Sequence, residues 1–174
     1  MKKLSISLFL VLIAVSERIW FDLGPNVELV MTASVIATLL LGRKWGIGVA
    51  LLSLIISDMV IGNSGIFVFT WSAFGLIAWG SNWLKNKGWQ WGGAYGFCGA
   101  LFFYLYTNFG VWLIGGLYPH TFSGLMRSYW MGLPFLKIHA VSSVLFLSGT
   151  LGLLNLVNLR FRVSRWKSGA VPQL

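Results

Sequence analysis

Six apolar runs, each close to the length needed to cross a bilayer and each followed by a short connection, constrain this chain more than any other feature. They fall at about 4–20, 26–41, 46–62, 66–84, 91–116 and 135–157. A hydrocarbon core about 30 Å thick takes about 20 apolar residues of helix. Inside it, only structures that satisfy their own backbone hydrogen bonds are stable. The pattern predicts an all-α integral membrane protein, with residues 1–174 forming a single transmembrane domain of six helices. The second run is short and the fifth long, which predicts tilt or a bent segment. With 57% hydrophobic and only 10% charged residues, a soluble domain of this size is excluded, because it could not hide so much apolar surface.

The net charge of +9 would suggest a nucleic-acid partner on a soluble protein. Here the basic residues sit between apolar runs, where they set orientation instead. Lys2 and Lys3, Arg43 and Lys44, Lys85 and Lys87, and a tail with Arg160, Arg162, Arg165 and Lys167 all fall on one side. Only Arg18, Arg127 and Lys137 fall on the other. By the positive-inside rule both termini are cytoplasmic, and the connections near 18–26, 62–66 and 117–134 face outward. The start, "MKKLSISLFLVLIAVSERIW", also has the basic and apolar regions of a secretory signal, with Ala14 and Ser16 as a small-residue pair. Cleavage there would leave the remaining topology unchanged.

With this orientation, the four acids and both histidines lie in the outward half, with Asn26, Asn63 and Asn108. An ionisable or amide group in the bilayer costs a few kcal/mol unless it faces protein or water. The clustering predicts an outward-open polar concavity walled by segments three, five and six. Asn108 either points into it or ties two helices together. Asp58, at that depth, needs a partner, with Arg18 and Arg127 the candidates. Asn26 and Glu28 read as an N-cap and a first-turn acid for segment two. In "HTFSGLMRSYWMGLPF", Thr121 and Ser123 are candidate caps and Pro134 a start signal for segment six. The stretch before Pro134 reads as a short amphipathic helix across the outer mouth, a lid or an interfacial anchor. Gly92, Gly96 and Ala100, like Ala33 and Ala37, form small-residue stripes for close helix packing, within the bundle or against a partner.

Several chemistries lack their residues. A single cysteine, Cys98, excludes an internal disulfide and reads as a packing thiol. His120, His139 and Asp58 show no compact metal spacing. No phosphate loop, H-E-x-x-H or G-x-S-x-G occurs, so neither an enzyme nor a resident cofactor is expected.

Residues 107–135, "TNFGVWLIGGLYPHTFSGLMRSYWMGLPF", resemble the signature of an uncharacterised bacterial membrane-protein family grouped with the substrate-binding S components of energy-coupling-factor (ECF) vitamin transporters. "SDMVIG" at 57–62 and "GPN" at 24–26 sit where that family has comparable residues. The resemblance implies a multi-pass subunit of the bacterial cytoplasmic (inner) membrane with an S-component-like bundle. It would take up a small organic nutrient, a vitamin or precursor, and hand it inward with an ECF transmembrane subunit and ATPases. Segment one departs from the pattern, lacking a clear Ala-xxx-Ala, which leaves open docking through another helix or function without ATPases. Asn108, Asp58, Tyr118, His120 and Arg127 would supply polar contacts, with Tyr129 and Trp112 as stacking rings. The competing expectation is a structural or assembly subunit without a ligand, docked through its glycine stripe.

Overall fold

The computed structural model describes residues 2–21, 23, 27–62 and 65–167, the last ten of these by backbone alone. Asp22, Asn26, Asn63 and Ser64 lie outside the described residues, as do the side chains of Arg160, Arg162, Arg165 and Lys167. The elements are α1 (Lys2–Ser16) running into a π-helical turn (Glu17–Phe21), α2 (Leu29–Leu41), α3 (Arg43–Ile61), α4 (Phe67–Gly80) with a 3-10 turn (Ser81–Leu84), α5 (Trp89–Ile114) and α6 (Phe122–Lys167). All the described secondary structure is helical. Four stretches are long and apolar enough to cross a membrane: Lys2–Phe21, Arg43–Ile61, Trp89–Ile114 and Phe122–Val157. The apolar α2 is shorter, at 13 residues, or about 20 Å at the usual helical rise.

α2 and α3 meet at one residue, Gly42, whose φ of +107° strains any side chain. Its N–H donates to Thr38 O at 3.0 Å and closes α2. Four residues on, a Cβ at Gly46 would fall 2.8 Å from Ser34 O, so the two helices touch backbone to backbone. The core between α1, α2, α3, α4 and α6 is apolar, with Val30, Met31, Leu54, Phe74 and Leu147 fully buried. Leu4, Leu8, Phe9 and Leu12 stand exposed along α1, an apolar exterior suited to lipid.

The small-residue stripe of α5 is spent inside the fold. A Cβ on Gly92 would lie 2.6 Å from Leu147 O, and one on Gly96 2.6 Å from Ser143 O. Ala33, Ala37 and Ala100 are likewise buried. Cys98 is exposed rather than packed, because the glycines take the inward face of α5. The pairing with α6 runs antiparallel from Asn155, whose Nδ2 donates to Lys87 O, up to Gly132 beside Asn108.

That pairing corrects the expected start of segment six. The helix begins at Phe122 and passes through Pro134. The residues before Pro134 are its first turns rather than a separate helix across the mouth. Proline removes the bond to Trp130 O, but α5 supplies a packing surface for those turns. Tyr104 Oη donates to Tyr129 O (2.6 Å) and Ser128 Oγ to Asn108 O (2.9 Å). Thr121 does act as a cap, accepting from Gly124 N at 3.2 Å. At α2, Glu28 is not in the first turn but precedes it, with no capping bond from its side chain. Leu29 N donates instead to Glu17 Oε2 at 3.3 Å.

Candidate functional site

Four elements converge on Arg18. The π turn that carries it ends α1 with an extra residue per turn, a local widening that often marks functional positions. Its Nε donates to Ser57 Oγ (2.8 Å) in the last turn of α3. Nη1 reaches Glu28 Oε1 (3.1 Å) at the mouth of α2, and Nη2 reaches Asp58 Oδ1 (3.0 Å). Trp71 Nε1, from α4, donates to Asp58 Oδ2 at 2.8 Å. Of the two candidate partners for Asp58, the structure selects Arg18. The guanidinium is planar and offers a fixed fork of donors, so one residue fixes the relative placement of three helix ends.

The cluster is well shielded, with Arg18, Glu28 and Asp58 side chains 13%, 21% and 9% exposed. Glu17, beside Arg18, is buried as well. The Glu17 carboxylate accepts from Leu29 N, and the guanidinium contacts two carboxylates, those of Asp58 and Glu28. Glu28 is the less fully bonded of the two. Its Oε2 is buried without a hydrogen-bond partner.

The remaining sequence-derived residues belong to the α5–α6 hairpin. Asn108 Nδ2 donates to Tyr104 O (2.9 Å) one turn back in α5, and its side chain lies against Gly132 of α6. Trp112 Nε1 donates to Pro119 O (3.0 Å), and its ring meets His120 edge-on at 5.7 Å. Tyr129 packs on Tyr104 with ring centroids 5.8 Å apart. His120 and Arg127 are exposed, and Tyr118 is half-buried. The expected single concavity walled by segments three, five and six is therefore corrected. α3 packs on α1, α2 and α4, while α5 packs on α4 and α6. α4 stands between Asp58 and Asn108. Its first turns serve both groups. Trp71 faces the ion cluster, and Phe69 packs on Tyr106 and Phe109 (5.1 and 6.3 Å) over the bare backbone of Gly110.

Sequence reasoning missed Glu28 and Trp71 as parts of one cluster. Arg18 was visible as a candidate partner, since an outward-side arginine is rare in this chain. Nothing in the sequence marked Trp71 among ten tryptophans. Among the described residues, no group of three His, Cys, Asp or Glu side chains is placed to hold a metal ion. His139 is buried against the Phe103 ring at 5.1 Å, away from His120.

Residues 1–167 match the profile of a family of unknown function, DUF6580. The chain belongs to that family. Among curated proteins and solved structures, nothing matches this DUF6580 chain.

Proposed function

We propose that this DUF6580 protein is a substrate-binding subunit of the bacterial inner membrane. It has six spans and cytoplasmic termini, and it captures a small organic nutrient, a vitamin or precursor, from outside. One observation carries the reading: Arg18, Glu28, Asp58 and Trp71, drawn from the ends of four helices, form a shielded polar centre at one end of an otherwise apolar bundle. Ionisable groups at membrane depth are costly and by default mark ligand or ion sites. The charge asymmetry of the connections puts that end outside. The resemblance to S components supplies the transport role, with an ECF transmembrane subunit and ATPases as partners.

In this reading the ion cluster is the polar centre of the site. The outer hairpin, with Asn108, Trp112, Tyr118, His120, Arg127 and Tyr129, supplies further substrate contacts from the other side of α4. Such sites are mostly apolar with a few polar groups that fix orientation.

The test is purification in nanodiscs, mass spectrometry of released small molecules and a thermal-shift screen of the compounds found. Stabilisation by at least one compound is expected, weakened in Asn108→Ala and Arg127→Ala. A screen in which no compound binds, or in which both variants bind as the parent does, overturns the site. Orientation is checked separately in a Cys98→Ser background. Arg127→Cys should be labelled from outside, and Asn86→Cys only after permeabilisation.

A further inference from the structure

The end of the bundle opposite Arg18 holds a second polar feature, one that the ligand reading does not use. The one-residue corner at Gly42 turns α2 directly into α3 and sets Arg43 and Lys44 beside the 3-10 turn after α4. Between them lies a cavity of about 450 Å³ lined by Gly42, Arg43, Lys44, Trp45, Asn82 and Lys85. Three cations border it, and none has a carboxylate partner among the described residues.

Of the chain's four acids, the three among the described residues, Glu17, Glu28 and Asp58, are engaged at the far end. Arg43 is instead held by stacking over Trp79, its Cζ 5.1 Å from the ring centroid. That contact orders the guanidinium while leaving its N–H edges open. The cavity also receives the start of α3, whose first N–H groups no side chain caps. Uncapped helix N-termini favour anions, and Asn82 adds an amide that can donate.

We infer that this corner binds a phosphate-bearing anion. A guanidinium stacked on Trp79, two exposed ammonium groups and the positive end of α3 around an open cavity of about 450 Å³ match the charge and acceptor geometry of a phosphate. Trp45, Trp79 and Trp83 at this end place it where aromatic residues meet headgroups. A phosphate there comes from an anionic lipid or from a soluble phosphate. Basic pockets between membrane helices take lipid headgroups by this chemistry.

The full-length protein, purified in a neutral detergent, is titrated at constant ionic strength with phosphatidylglycerol, phosphatidylcholine and inorganic phosphate. Thermal stability and lipid retained in native mass spectra are followed. Phosphatidylglycerol is expected to stabilise the parent more than phosphatidylcholine does. In Arg43→Gln/Lys85→Gln the half-saturation should rise about fivefold for each cation removed. Lys2→Gln/Lys3→Gln, which removes the same charge from the same end outside the cavity, should leave it unchanged. Equal stabilisation by inorganic phosphate, lost in the same variant, assigns the site to a soluble anion. The inference is overturned if the Arg43/Lys85 variant binds phosphatidylglycerol as the parent does. It is overturned equally if the Lys2/Lys3 variant loses as much, since diffuse surface charge then explains the binding. Should the first variant fail to fold, exposed Lys44→Gln carries the same expectation of about fivefold.

Discussion

Arg18→Met is the substitution that asks most of the structure. It removes one side chain of similar length, yet strands Glu28 and Asp58, whose carboxylates lie 3.1 and 3.0 Å from the guanidinium. It also leaves Ser57 Oγ without its donor at 2.8 Å. Asp58 keeps the Trp71 indole, but a neutral donor does not replace the guanidinium charge beside a shielded carboxylate. Removing one partner of a buried ion pair costs about 3–5 kcal/mol, mostly from the charge left behind. If that is the origin of the loss, neutralising the stranded acids repairs it. Arg18→Met/Glu28→Gln/Asp58→Asn should return to within about 2 kcal/mol of the parent, since a buried ionic group exchanged whole for neutral ones is often close to neutral. Arg18→Lys should fall between, because an ammonium cannot reach three acceptors spread over α3 and the start of α2 as a planar fork does. The assay is unfolding by sodium dodecyl sulfate in mixed micelles, followed by tryptophan fluorescence. A loss below about 1 kcal/mol for Arg18→Met, or a triple variant as unstable as the single one, refutes the view that this arginine organises the helix ends.

Three further outcomes follow from the same geometry. Trp71→Phe keeps the ring but deletes the 2.8 Å bond to Asp58 Oδ2, and should cost about 1.5–3 kcal/mol in the same unfolding assay. Gly96→Ala forces a Cβ to 2.6 Å from Ser143 O and should lose about 1–3 kcal/mol by pushing α6 off α5; Gly75→Ala, where nothing lies within 4 Å, is the control. Glu28→Gln removes the charge that meets Arg18 at 3.1 Å and should cost about 1–3 kcal/mol in the same unfolding assay.

How much of this was legible in the sequence depends on the direction along which one reads. Depth was legible. Apolar length located the first five helices within a few residues but placed the start of the sixth 13 residues late, and the alternation of Lys and Arg put Arg43, Lys44 and Lys85 at one end and Arg18 at the other, where Arg43 meets Trp79 and Arg18 meets Asp58. Position around the bundle axis was not. Asp58 and Asn108 lie at similar depth in the pattern, yet α4 separates them, because hydropathy carries no record of which helix neighbours which. The glycine stripe on α5 announced a close approach but not to what, and Ser143 and Leu147 supply the answer. Pro134 misled for a different reason. In a soluble chain proline favours the first turn of a helix, whereas here the long α5 lends packing to the turns before it, and the helix continues.

The two ends of the molecule are linked by a shortage. With only four acids in 174 residues, the charges that the fold can neutralise internally are few, and three of those acids gather around or beside Arg18. The consequence is felt at the opposite end, where Arg43, Lys44 and Lys85 have no carboxylate partner among the described residues. The same allocation that builds a shielded polar centre between α1, α2, α3 and α4 thus leaves the other end basic, which is the asymmetry that orients a membrane protein. Moving one acid across the bundle exposes the connection. Asn82→Asp would give the basic corner its own counterion, weaken phosphatidylglycerol binding there, and leave the Arg18 cluster and its unfolding energetics untouched. A change at both ends would mean that the bundle couples them by some route other than the distribution of charge.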